Sequence, residues 1–223
     1  MADLGAVVFD FDGLIVDTET PIFDMCRSAL VEMGHDIDVA AWSRCVGLGD
    51  ADSFTVLCDA VGTELDRGEY DEVYRRQDRS WYDSVPALPG VVDLLGALAA
   101  LGVPVGVASS SPGHWVERHL DRLGLIDRFD TIATEDRVGG RTKPAPDAYL
   151  LACSDLSVDP ANAVALEDSA NGIRAALAAG MSVVAVPSFI TSHTDLSAAH
   201  HTVDSLAVLT VDHLQDLVAT RRD

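Results

Sequence analysis

The stretch VVFDFDGLIVDTE, residues 7–19, decides how the rest of the chain is read. It opens on strand-forming apolar residues, Val7, Val8 and Phe9, and then releases three aspartates, Asp10, Asp12 and Asp17. A buried strand that ends in Asp-x-Asp-Gly brings like charges together, which is costly unless a cation or a ligand offsets it. A polar turn would explain each residue singly. The remainder of the chain decides between a plain turn and a metal and phosphate site.

Working outward, the first apolar run covers 6–11, and further runs of strand length occur at 103–108, 131–133, 163–166 and 182–186. Helical patterns separate most of them. One covers 91–101, after Pro89-Gly90 and before Gly102. A second covers 112–123, with Ser111 as its expected cap, Pro112 in its first turn and Gly124 at its end. A third covers 170–179, between the cap Ser169 and Gly180. Strands alternating with helices of about ten residues predict an α/β fold with a doubly wound parallel sheet.

The block from Thr18 to Val85 breaks that alternation. It holds no convincing buried strand, and helical patterns cover 21–33 (capped by Thr20), 39–45, 52–61 and 69–82. A crossover inside one domain does not need so long a connection. The expected organisation is a core of 1–17 and 86–223 with an inserted helical cap of 18–85, joined near Asp17 and 86–89.

In doubly wound sheets ligands gather outside the carboxyl ends of the strands. Here the first strand ends in Asp10-Phe11-Asp12-Gly13 and the second in Ser109-Ser110-Ser111. Lys143 follows the third in RTKPAPD, and the fourth ends in Glu167-Asp168-Ser169. Singly, these read as helix caps, a surface charge and polar turns. As a set they make chemical sense. Asp10, Asp12, Glu167 and Asp168 offer hard oxygen ligands without His or thiolate, which suits Mg²⁺ rather than Zn²⁺. Ser109 and the N–H groups entering its helix offer an anion site, and Lys143 is a mobile point charge for phosphate. Three other signals are weaker. Asp17 reads equally as a hinge carboxylate, Asp147 as a dipole partner at a helix start, and His114 and Trp115 as surface packing.

Composition narrows the classes. A formal charge of −21 repels nucleic acid, and no apolar run is long enough for a membrane span. The four cysteines are scattered without a Cys-x-x-Cys pair, and the first residues do not form a secretory signal, so a cytoplasmic protein is expected. Lys143 is the one lysine among 15 basic residues.

The chain resembles the haloacid dehalogenase superfamily, in the subgroup whose helical cap follows the first motif and which includes beta-phosphoglucomutase and sugar-phosphate phosphatases. DFDGLIVDTE, VGVASSS, TKPAPDAYL and ALEDSANGIRAALAAGM match its four motifs in order and span the core. The resemblance implies that Asp10 is the nucleophile forming an aspartyl-phosphate. Asp12 then exchanges protons with the leaving oxygen and the attacking water, and its backbone carbonyl joins Asp10, Asp168 and Glu167 around Mg²⁺. Ser109, Ser110 and Lys143 would hold the phosphoryl group. These roles fit a reaction that needs positioning and charge stabilisation.

The expected activity is Mg²⁺-dependent hydrolysis of a small phosphorylated metabolite, a sugar or polyol phosphate, by a monomer or homodimer. Asp50, Arg76 and Ser111 are the residues expected to meet the substrate. Against the mutases of the group, Ile22 stands where a histidine is usual, and Asp50 where an arginine clamps a second phosphate. Arg75 and Arg76 fall near the mutase's cap lysine. A phosphonatase would need a cap lysine, which this chain lacks. Asp12 and the Glu167-Asp168 pair argue against a metal-free dehalogenase. A phosphoacceptor receiver module is about half this length and has no cap; a sugar phosphomutase resembling beta-phosphoglucomutase and a non-catalytic phosphoacceptor or binding protein on the same fold are the alternatives.

Overall fold

Ala6–Phe9 forms β1, with every residue buried. Such a continuous apolar run belongs in a sheet covered on both faces. Its neighbours are β2 (Val105–Ala108) and β4 (Ala163–Glu167), followed outward by β3 (Thr131–Ala133) on one side and β5 (Ser182–Ala185) and β6 (His201–Thr202) on the other. The order is β3-β2-β1-β4-β5-β6 and every pairing is parallel. The computed structural model describes residues 4–46, 48 and 50–220; the ends of the expected core, 1–3 and 221–223, lie outside the described residues.

Side chains of β1 alternate between two apolar layers, as a strand requires. Val7 and Phe9 join one built with α5 (Val91–Ala100), α6 (Gly113–Arg122) and α9 (Val211–Thr220). Ala6 and Val8 join the other, with α7 (Asp147–Asp155) and α8 (Ala170–Ala178). Register then does the positioning. Phe9 pairs with Val107 on β2 and Leu166 on β4, so Asp10, Ser109 and Glu167 emerge together where the winding direction reverses.

Between β1 and β2 lie α1 (Glu19–Glu32), α2 (Val39–Trp42), α3 (Asp50–Val61) and α4 (Arg67–Arg75). They enclose a separate apolar cluster around Phe23, Leu30, Trp42, Leu57 and Tyr70, to which the rest of the chain adds Ile190. The chain leaves and re-enters the sheet layer side by side: Val16 bridges Ala87, and the Leu88 N–H donates to the Ile15 carbonyl at 2.8 Å.

Several local expectations shift. The last helix of this block ends at Arg75 rather than 82, because Asp78 turns the chain by accepting from both the N–H and the hydroxyl of Ser80. Ser80–Asp83 is a separate 3₁₀ turn. Thr20 does not cap α1; Asp17 does, accepting from the Thr20 N–H at 3.1 Å. Ser111 does not cap α6, whose cap residue is Pro112, because its hydroxyl is engaged elsewhere. Ser169 does cap α8, accepting from Gly172 N–H at 3.0 Å.

Candidate active site

Three strand ends and the loop before α7 deliver Asp10, Asp12, Ser109–Ser111, Lys143 and Asp168 to a small cavity of about 50 Å³. Lys143 is buried; its Nζ reaches Asp10 Oδ1 and Glu167 Oε1, each at 2.5 Å. Glu167 is fully engaged. Its Oε1 also accepts from the Tyr149 hydroxyl at 2.6 Å, and its Oε2 accepts from the Ser169 N–H and hydroxyl, both at 3.1 Å. The turn into α8 therefore wraps the carboxylate so closely that a side chain on Gly172 would collide with it.

One ammonium shared between two carboxylates cannot neutralise the group. Burial, and then the Glu167 charge, push Asp10 up to about 8 despite the opposing pull of Lys143. Burial, then Asp10 and Glu167, hold Asp168 well above the ordinary carboxylate range. Burial alone would lower Lys143, but Asp10 and Glu167 outweigh it and keep the ammonium charged. The site is short of positive charge.

One buried oxygen of the cluster is left without a partner. Asp168 Oδ1 is buried with no hydrogen-bond partner, while Oδ2 accepts from Thr191 Oγ1 at 3.3 Å. Asp10, Glu167 and Asp168 each place one oxygen within 4.8 Å of the others. An all-oxygen set with one unsatisfied carboxylate oxygen fits a hard divalent cation such as Mg²⁺. The Asp12 side chain is not part of this group. Gly13, at φ +83, turns the chain just beyond it, and a Cβ there would strike Asp168.

Asp12 faces the other side of the cavity. Its Oδ1 accepts from Thr18 Oγ1 at 2.7 Å and Trp115 Nε1 at 2.9 Å; its Oδ2 accepts from Ser111 Oγ at 2.6 Å and Ser109 Oγ at 3.4 Å. Ser109 Oγ accepts from the Ser111 N–H at 2.9 Å, and the Ser110 hydroxyl accepts from the Lys143 N–H at 3.2 Å. The expected surface-packing role of Trp115 is thus corrected: its ring nitrogen touches an expected catalytic carboxylate. Asp147, by contrast, pairs with Arg141 at the start of α7, as a structural carboxylate would.

A second cavity, of about 320 Å³, shares Glu19, Val46, Leu48, Ser110 and Ser111 with the first and extends beneath α2, α3 and α4. Trp42, Phe54, Tyr70 and Tyr74 line it, together with Asp50, Arg67, Asp71 and Glu135. Asp50 lies at this cavity. Arg76 does not: it sits at the far end of α4, more than half exposed, paired with Glu32 at 2.9 Å. The arginine that α4 does bring to the cavity is Arg67, at its first turn, and it is held by Asp50 at 2.6 Å and Asp71 at 2.8 Å. Glu19, which the sequence did not single out, borders both cavities and is pushed up to about 8 by burial and then by Asp12, Asp10 and Asp17. A larger open groove between α3 and α4, about 1070 Å³, touches none of the catalytic candidates.

Residues 7–186 match the family model of the haloacid dehalogenase-like hydrolases. The chain belongs to this family. YhcW of Bacillus subtilis (strain 168) is 38% identical over 214 residues, covering 94% of this chain and 97% of its own. Hexitol phosphatase B of Escherichia coli (strain K12) is 34% identical over 200 residues, covering 82% and 83%. Among solved structures, beta-phosphoglucomutase (pgmB) from Clostridium difficile superposes with a TM-score of 0.83 at 26% identity, covering 98% of this chain and 99% of that one. Haloacid dehalogenase-like relatives of this chain thus include both phosphatases and a mutase.

Proposed function

We propose that this chain is a Mg²⁺-dependent phosphatase of small phosphorylated metabolites, sugar or polyol phosphates, acting through an aspartyl-phosphate on Asp10. The observation that carries the reading is the convergence of Asp10, Asp12, Ser109, Lys143 and Asp168 on one cavity. Asp10 attacks phosphorus, the bond from phosphorus to the ester oxygen breaks, and Asp12 gives that oxygen its proton. Asp12 then takes a proton from water as the water attacks phosphorus, releasing phosphate and regenerating Asp10. Ser109 and Ser110 orient the phosphoryl group, and Lys143 holds Asp10 in place and offsets charge. Asp10, Asp168, the Asp12 carbonyl and, at one remove, Glu167 would hold Mg²⁺, which supplies positive charge against the phosphoryl oxygens.

Residues 18–85 act as a cap over a core of 1–17 and 86–223. A separate apolar cluster and a paired pair of linkers support that division. The roomier cavity beneath the cap takes the non-phosphorylated part of the substrate. Aromatic walls suit the C–H faces of a sugar or polyol, and carboxylates suit its hydroxyls. Arg67, already neutralised by Asp50 and Asp71, is poorly placed to hold a second phosphate, which favours hydrolysis over a mutase cycle. Free, largely buried cysteines and a phosphometabolite substrate fit the cytoplasm. The test is a panel of phosphorylated sugars and polyols assayed for phosphate release, with interconversion of sugar 1- and 6-phosphates followed in parallel. Release should dominate; interconversion faster than release would assign the chain to the mutases instead.

A further inference from the structure

The contact between Trp115 and Asp12 is the end of a longer arrangement. Trp115, Arg118, His119 and Arg122 fall at positions i, i+3, i+4 and i+7 of α6 and so share one face. All four meet residues 81–85, where the chain returns from the helical block to the sheet layer. Tyr82 packs edge-on against Trp115 with ring centroids 5.1 Å apart, and Trp81 does so at 6.1 Å. Arg118 pairs with Asp83 at 2.8 Å, Tyr82 packs against the His119 ring at 6.3 Å, and Arg122 donates to the Val85 carbonyl. His119 lies 4.4 Å from Trp115 on the inner side, with both ring nitrogens buried and unpartnered, so it serves as a packing ring. Burial, then Arg122, hold it below its ordinary value and so uncharged.

The indole is therefore wedged from both sides. It differs in kind from the other groups on Asp12. Thr18, Ser109 and Ser111 offer hydroxyls, which rotate and can donate or accept; an indole N–H only donates, and its direction is fixed by the ring. A donor-only contact on Oδ1 leaves proton exchange to Oδ2, whose partners Ser111 and Ser109 are hydroxyls that can turn to accept as well as donate.

We propose that Trp115 is a positioning residue for Asp12: its N–H fixes Oδ1 of the proton-transferring carboxylate, and the 115/118/119/122 face of α6 holds the indole against the returning linker. This rests on the phosphatase reading above. Misdirecting a proton donor costs most where the leaving oxygen is a poor one. An alkoxide must be protonated as it departs, whereas p-nitrophenolate need not be.

The test compares kcat/KM for glycerol phosphate and for p-nitrophenyl phosphate in wild type and Trp115→Phe, which keeps the ring packing and removes the N–H. The alkyl-to-aryl ratio should fall by about 10- to 100-fold. A substitution that merely loosened packing would lower both values together and leave the ratio unchanged, which would overturn the proposal. A second readout needs no turnover. The chain has three tryptophans, so the indole N–H signal lost in Trp115→Phe identifies Trp115 by NMR, and that signal should move in Asp12→Ala. A signal that stays in place would also overturn it. Wild type inactive on both esters would sink the phosphatase reading and this proposal together, whereas an active wild type with an unchanged ratio sinks the Trp115 role alone.

Discussion

Replacing Tyr149 by Phe tests how the buried charge cluster is held together. Tyr149 is fully buried, and its hydroxyl donates to Glu167 Oε1 at 2.6 Å. Burial, and then the Glu167 charge, keep its phenol far above its ordinary value, so it is a donor at any working pH. The variant removes one oxygen and leaves the ring in place, so little cavity forms. What is lost is one hydrogen bond to a charged group, worth about 1.5–3 kcal/mol. In a chain of this length each kcal/mol moves the thermal midpoint by about 2–4 °C. The expected fall is therefore about 3–12 °C, read by circular dichroism at neutral pH. The same substitution in a Glu167→Gln background should cost less, because the amide oxygen is a weaker acceptor. A midpoint within about 1 °C of wild type would refute the reasoning, since it would mean that Glu167 does not depend on Tyr149.

The carboxylate shifts carry a sign that can be checked. Asp10 and Glu19 both sit at about 8, from ordinary values of 3.8 and 4.5. In the folded state these groups keep protons that the unfolded chain has released. The stability this confers is complete below the ordinary carboxylate range and is lost as pH rises through about 8. In EDTA the thermal midpoint should fall as pH rises from about 4 to about 8, and Mg²⁺ should flatten that fall; a midpoint that rises across that range in EDTA contradicts the account. Net charge makes a separate prediction. At −21 the surface repels itself, so raising NaCl from about 0.1 M to about 1 M, which shortens the Debye length from about 10 Å to about 3 Å, should raise the midpoint. A flat or falling midpoint would count against it.

Much of this was legible in the sequence for a simple reason. A parallel sheet sends the carboxyl ends of its strands to one edge, so recognising four buried runs was enough to gather Asp10, Ser109, Lys143 and Asp168. Partners that reach the site from helices were not legible. Tyr149 lies on α7, eighteen residues before Glu167, and its ring position follows the apolar pattern of a core residue. Trp115 reads as packing because one face of its ring is packing; only its nitrogen shows the second role. Ser111 and Thr20 illustrate the converse. Both have cap-forming side chains at helix starts, yet Asp12 takes one hydroxyl and Asp17 supplies the other cap. Arg76 is expected at the site only because it falls near the mutase's cap lysine, whereas the end of α4 that faces the cavity is set by packing and carries Arg67. The short β6, at the sheet edge beside Val184 and Ala185 of β5, consists of the exposed polar residues His201 and Thr202, and two such residues carry no periodic signal.

The central claim is that Asp10 takes the phosphoryl group. It is tested most directly by mixing the protein with Mg²⁺ and a phosphomonoester, quenching in acid within a turnover, and locating the phosphate by mass on peptides from wild type and Asp10→Asn. The account predicts phosphate on the peptide containing Asp10 in wild type, and neither that adduct nor turnover in the variant. Turnover retained by Asp10→Asn, or a phosphoryl group found on another residue, would contradict it.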